Sequence, residues 1–190
     1  VLLNIIIINL DKMDKIFDTR NEMFSSFNKN LVVAELGVFK GEFSKDIKKI
    51  IEPKRLFLVD LFSGYFGSGD KDGLNHTYAQ LEEEEQKLKE FFKNDTNVEI
   101  IKNDTISFLE SLDNETLDIV YIDADHSYES VKKDLQHSLP KVKTGGLICG
   151  HDYVEYTQAK NAVDDFCHEN NLVIKYLTKD GCPSFAITKQ

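Results

Sequence analysis

The sequence predicts an α/β domain, a doubly wound and mostly parallel sheet closed by a C-terminal antiparallel hairpin. Three observations predict it. From residue 31 onward, short apolar runs alternate with amphipathic stretches of helical length. A polar or acidic residue closes each run of the parallel part. The last two runs are joined by the turn Lys179-Asp-Gly-Cys-Pro183, which suits an antiparallel pair. Strands separated by helices of this length form βαβ units, and right-handed crossovers then place helices on both faces of the sheet.

Taken in order, Leu31-Val-Val-Ala-Glu-Leu36 reads as a buried first strand, followed by glycine punctuation and a helix to about Ile51. Arg55-Leu-Phe-Leu-Val-Asp60 is the second strand, followed by the glycine-dense loop from Ser63 to Gly73 and a charged helix near 77–92. The Glu82–Glu85 run within it reads as a solvated face. Val98–Ile101 is the third strand, with a short helix after Asp104. Leu117–Ile122 is the fourth, followed by a helix over about 128–138, and Gly145-Gly146 leads into a fifth at Leu147–Gly150. A helix covers roughly 156–169, and the hairpin strands lie near 173–177 and 184–188.

The chain has 190 residues, 41% of them apolar, and a net charge of −10. One domain over 1–190 is expected, with an N-terminal segment at 1–30 and a substrate-side insertion at 63–95. The acidic balance disfavours a nucleic-acid partner, which needs a basic face. The apolar stretch Val1–Leu10 is shorter than the roughly 20 residues of a membrane span. Cys149, Cys167 and Cys182 are odd in number and form no Cys-x-x-Cys pair, which points to a reducing cytoplasm. The remaining partner is a small-molecule acceptor, and self-association stays open.

In open parallel sheets, ligands bind beyond the carboxyl ends of the strands. Those ends carry Glu35, Asp60, Asp104, Asp123, His151 and Asp152. Glu35-Leu-Gly-Val-Phe-Lys-Gly41 is not the Gly-x-Gly-x-x-Gly of dinucleotide enzymes, and Gly41 lacks the Lys-Ser/Thr that completes a phosphate-binding loop. A carboxylate at the loop start suits a cationic or hydroxyl-bearing ligand and repels a pyrophosphate. Asp60 ends the next strand, where a ribose diol is held in nucleoside-binding domains, and Asp104 stands where it can reach an adenine.

Glu35-Leu-Gly-Val-Phe-Lys-Gly-Glu-Phe-Ser44, Asp123-Ala-Asp-His-Ser-Tyr-Glu129 and Gly145-Gly-Leu-Ile-Cys-Gly-His-Asp-Tyr153 resemble the motifs of class I methyltransferases. The resemblance is to the branch of catechol O-methyltransferase and the macrocin-type sugar O-methyltransferases. It spans about residues 31–188 in motif order and departs from the wider class at Phe39, where many members carry a glycine. It implies a Rossmann-like fold and S-adenosylmethionine as cofactor. It also implies a cofactor-binding set of Glu35, Gly37, Val38, Phe39, Gly41 and Ser44 from the first motif. Asp60 and Leu61 would serve the ribose, Asp104 and Thr105 the adenine, and Asp123 the sulfonium end. The expected acceptor is a hydroxyl on a sugar or small polar metabolite.

Carboxylates at the ends of the fourth and fifth strands suit a hard cation such as Mg²⁺, and a histidine among them admits Mn²⁺. The resemblance implies metal ligands at Asp123, Asp152 and a neighbour of Asp152, either His151 or Tyr153, with His151 preferred. It assigns His126 as catalytic base. An imidazole titrating near pH 6.5 can take the acceptor's proton. Asp125 reads as a helix N-cap, and His76, His137 and His168 as surface residues without acidic companions. Tyr65, Phe66, Tyr78, Tyr128, Tyr153 and Tyr156 are candidates to line an acceptor cleft. The alternatives are a metal-independent N- or O-methyltransferase and a non-catalytic nucleoside-binding domain.

Overall fold

The structure, a computed structural model, describes residues 13–63, 78–155 and 157–190. Tyr65, Phe66, His76, Tyr156 and the side chain of Tyr78 lie outside the described residues. The strands are β1 (Lys15–Phe17), β2 (Val32–Leu36), β3 (Arg55–Asp60), β4 (Val98–Lys102), β5 (Leu117–Ile122), β6 (Val142–Gly150), β7 (Ile174–Thr178) and β8 (Phe185–Thr188). The helices are α1 (Arg20–Ser25), α2 (Glu42–Ile51), α3 (Tyr78–Phe91), α4 (Thr105–Ser111), α5 (Tyr128–Lys141) and α6 (Gln158–Glu169).

Among the described residues, the eight strands join one sheet in the order β1-β7-β8-β6-β5-β2-β3-β4. Strands β2 to β6 run parallel, and β8 inserts antiparallel between β6 and β7. Because successive side chains of a strand point to opposite faces, the sheet buries two separate cores. Ala34, Leu36, Phe57, Val59, Val120 and Ile122 pack with Leu109 of α4, Leu135 of α5 and Phe166 of α6. Val33, Leu56, Leu58, Ile119 and Tyr121 pack on the other face with Phe24 of α1, Ile47 of α2 and Leu88 of α3. This is the expected double winding.

The topology also fixes where a ligand can bind. From β2 the chain steps outward through β3 and β4, then returns to lay β5 on the opposite side of β2. The order reverses between β2 and β5, which is where an open α/β sheet forms its crevice. Leu36 and Ile122 are register partners, so the loops beginning at Gly37 and Asp123 leave the sheet side by side.

The structure corrects several sequence expectations. The N-terminal segment, predicted without elements, supplies β1 and α1, and β1 extends the sheet beside β7. Helix α5 continues to Lys141 and β6 begins at Val142, five residues before the expected strand start. Glu85 is not on a solvated face; it is 4% exposed and pairs with Lys89 and Lys102 at 2.5 and 3.2 Å. Among the described residues, no helix is long and apolar enough to cross a membrane.

Candidate active site

The loop between β2 and α2 is shaped by three residues in the left-handed region, Gly37 (φ 89°), Phe39 (φ 51°) and Gly41 (φ 68°). Glycine adopts that region without steric cost. Phe39, the position where the resemblance expects a glycine, holds the same sign of φ with a full side chain. Strain of this kind persists only where the surroundings enforce it, and here Asp60 does so. Its Oδ2 accepts the backbone N–H groups of Val38 and Phe39, each at 2.8 Å, and its Oδ1 accepts that of Phe62 at 2.7 Å. The carboxylate at the end of β3 is therefore the clasp of the glycine loop.

Under this loop stands Glu35, 2% exposed and hydrogen-bonded by Ser44 Oγ. Burial pushes the Glu35 carboxyl up to about 8 despite that bond, so it keeps its proton at neutral pH. Beside it lies Arg20, the first residue of α1, which sequence reasoning missed. Its guanidinium stacks over the Phe43 ring, 4.1 Å from the centroid. It donates from Nη1 to Tyr121 Oη at 3.3 Å and lies 3.6 Å from Asp123 Oδ2. The fully buried Tyr121 reaches on to Ser184 Oγ at 3.1 Å.

Four titratable groups converge beyond β5 and β6. His126 Nε2 lies 3.0 Å from Asp152 Oδ2 and 3.6 Å from Asp123 Oδ1. His151 Nδ1 lies 3.4 and 3.6 Å from the same two atoms. Burial opposes the charge of Asp123, but the two imidazoles outweigh it and hold the carboxyl at about 2. Burial likewise disfavours protonated His151, yet the two carboxylates raise it to about 9. Asp152 adopts φ 56°, a left-handed conformation unusual for a residue with a side chain. One donor atom each from Asp123, His126 and Asp152 lie within 4.8 Å of one another. Two hard carboxylates with imidazole nitrogen form a donor set that fits a divalent cation such as Mg²⁺ or Mn²⁺. His151, the expected third ligand, is not in that set, although its Nδ1 lies 3.6 and 3.4 Å from Asp123 and Asp152.

At the far end of the crevice, Asp104 caps α4 by accepting Ser107 N–H at 2.8 Å, which holds its carboxyl below the usual range. Thr105 donates to Asp134 of α5, a 3% exposed carboxylate that burial raises to about 6. Asp125 is not the cap of α5. That place belongs to Ser127, while Asp125 receives Ser127 N–H and Ser130 Oγ–H at 2.8 and 3.1 Å.

These groups border a cavity of about 480 Å³, within the range of small-molecule sites. Glu35, Gly37, Val38, Phe39, Asp60 and Leu61 line it from one side, and Asp104, Thr105, Asp123 and His126 from the other. Gly41 and Ser44 are not among its lining residues: Gly41 caps α2 and packs against Leu88, and Ser44 stands behind Glu35. His151 and Asp152 adjoin through Asp123. Arg20 and Asp134 are lining residues absent from the sequence-derived set. The only signal for Asp134 was an acidic residue inside an amphipathic helix, and Arg20 gave none. His137 is half-buried and has an acidic neighbour after all, Glu110 at 3.6 Å. Tyr153 donates to Asp164 at 2.6 Å and Tyr128 to Asp165 at 2.7 Å.

A family model described as a methyltransferase domain matches residues 34–153. No curated protein matches the chain in sequence. Among solved structures, the O-methyltransferase NovP is 18% identical with a TM-score of 0.64, over 90% of this chain and 79% of that one. A Streptococcus mutans protein assigned as a methyltransferase and solved with SAH is 14% identical with a TM-score of 0.61, over 90% and 96%. A precorrin-6y C5,15-methyltransferase from Geobacter metallireducens is 14% identical with a TM-score of 0.61, over 89% and 85%. At these identities the likeness is one of fold.

Proposed function

The chain belongs to the methyltransferase-domain family and takes its methyl group from S-adenosylmethionine, and on that premise we propose that it methylates a hydroxyl of a sugar or other small polar acceptor with the help of a divalent cation. The convergence of Asp123, His126, His151 and Asp152 at the edge of the cavity carries this reading. The donor supplies a methyl carbon already activated by a sulfonium, so the protein must position an oxygen nucleophile and remove its proton. Glu35 and the Gly37–Gly41 loop bind the amino-acid end. Asp60 and Leu61 face the ribose, Asp104 and Thr105 the adenine. Asp123 stands at the sulfonium end and, with His151 and Asp152, would hold the cation, which would lower the pKa of a bound hydroxyl and orient it. His126 accepts the acceptor's proton, with Asp152 orienting its ring. The setting is cytoplasmic.

A second reading, a metal-independent N- or O-methyltransferase, is favoured by one observation. The two carboxylates already have two imidazole partners. Transfer from labelled S-adenosylmethionine to a panel of sugar and amine acceptors, with and without a chelator, separates the two. The main reading expects hydroxyl methylation that the chelator abolishes and Mg²⁺ or Mn²⁺ restores. Chelator-insensitive transfer overturns the cation's part, and transfer to amines alone overturns the acceptor class.

The Asp60 clasp gives a further expectation. Asp60→Ala removes the acceptor of three backbone N–H groups, and hydrogen bonds to a charged group are worth about 1.5–3 kcal/mol each. S-adenosylhomocysteine affinity, read by calorimetry, should fall about 100-fold. Asp60→Asn, which keeps one acceptor oxygen, should lose less. Unchanged affinity in the alanine variant would remove Asp60 from cofactor binding altogether.

A further inference from the structure

We propose that Arg20 binds the carboxylate of the methionine end of S-adenosylmethionine, so that a residue outside the family's matched segment recognises the cofactor's amino acid. The inference rests on the reading of the cavity as the cofactor site.

Three observations carry it. The first is place. Arg20 lines the cavity, and its guanidinium is stacked on Phe43, in the first turn of the helix that the glycine loop opens. It therefore sits at the Gly37–Gly41 end, away from Asp104 and Asp134.

The second is charge. The groups around this end, Glu35, Asp60 and Asp123, are all carboxyl groups. The Asp60 and Asp123 carboxylates suit the ammonium and the sulfonium of the cofactor and repel its carboxylate, and the neutral Glu35 adds no positive charge. A zwitterionic amino acid needs one cation among them. Arg20 stands 3.6 Å from Asp123. Of the other cations that line the cavity, Lys133 lies next to Asp134 at the opposite end, and the Lys40 ammonium is turned over the Phe39 ring at 5.0 Å.

The third is unused donor capacity. A guanidinium carries five N–H donors in a planar fork that matches a carboxylate. Among the described residues Arg20 makes one hydrogen bond, to Tyr121 Oη at 3.3 Å, and its approach to Asp123 is an ion pair too long for a hydrogen bond. Stacking on Phe43 and the tether to Tyr121 hold the group in place, which reduces the ordering needed when a ligand arrives.

The test compares S-adenosylmethionine with its decarboxylated analogue, which keeps adenosine, sulfonium and ammonium and lacks only the carboxylate. Calorimetry on the wild-type chain should show S-adenosylmethionine binding about 10- to 100-fold more tightly. Arg20→Met, which preserves the apolar stem over Phe43, should abolish that preference by weakening S-adenosylmethionine alone. Its affinity for the decarboxylated analogue should stay within about threefold, which also certifies a folded site. Arg20→Lys should retain part of the preference, and Lys40→Met all of it. Equal losses for both ligands in Arg20→Met, or a preference that survives it, would overturn the proposal, as would a preference lost in Lys40→Met instead. If the wild-type chain binds neither ligand, the cofactor reading of the cavity fails and takes this inference with it.

Discussion

His126→Ala should slow methyl transfer by about 10²–10⁴-fold, the range associated with one positioned acid–base group, while S-adenosylhomocysteine affinity stays within a few-fold. The expectation follows from where the ring is held. His126 sits in the loop between β5 and α5, and its Nε2 is 3.0 Å from Asp152, which fixes the ring's direction. The cofactor's contacts are assigned to the β2, β3 and β4 loops and to Asp123, which keeps His151 as a partner at 3.6 Å, so removing the imidazole leaves most of them in place. The neighbouring His151 offers the necessary contrast. It meets the same carboxylates, at 3.4 and 3.6 Å, from the end of β6. If His151 ligates and His126 takes the proton, His151→Ala should raise the Mg²⁺ concentration needed for half-maximal activity, whereas His126→Ala should lower the maximum without moving that midpoint. The opposite pattern would exchange their roles, and full activity in His126→Ala would eliminate it as base.

Much of this arrangement was legible because a parallel sheet puts strand ends, and so residues far apart in sequence, on one edge. Glu35, Asp60, Asp104 and Asp123 each follow an apolar run, and their order along the chain sufficed to place them around a common crevice. The pairing of His126 and His151 with the same two aspartates was legible only as proximity. Strand adjacency brings the loops together, but backbone conformation, including the left-handed turn at Asp152, decides which ring nitrogen faces inward. Arg20 was illegible for a different reason. Strand β1 has three residues and α1 has six, both too short for a periodic signal. Arg20 reaches the site through Tyr121, 101 positions away, and nothing local in the sequence encodes that contact. Glu85 looked like one of four solvated glutamates. Its burial depends on Lys102 at the end of β4, again a tertiary partner.

Gly37→Ala should damage both stability and cofactor binding, and far more than Gly41→Ala, although both glycines have positive φ. A side chain in the left-handed region costs about 1–2 kcal/mol at either position, so the difference must come from what a new Cβ would meet. At Gly37 it would stand 2.1 Å from the carbonyl oxygen of Asp123, 2.5 Å from its carbon and 2.7 Å from Ala124 Cα. These are backbone atoms of the adjoining loop, fixed by Asp123 N–H donating to Leu36 O at 2.8 Å and by the β2–β5 ladder. Relief requires the two loops to separate at the switch point of the sheet, which opens the floor of the cavity. At Gly41 the closest atom, at 2.2 Å, is Leu88 Cδ1, the end of a side chain that can rotate away. Overpacking a core by one methyl group typically costs 1–3 kcal/mol. With the backbone term, Gly37→Ala should lose about 3 kcal/mol or more, a fall of roughly 6–12 °C in Tm for a chain of this size, and should bind S-adenosylhomocysteine at least about tenfold more weakly. Thermal unfolding and calorimetry on both variants decide the matter. Equal losses would mean that the backbone approach of the β2 and β5 loops does not define the cofactor floor, and the assignment of the crevice at this strand pair would have to be abandoned.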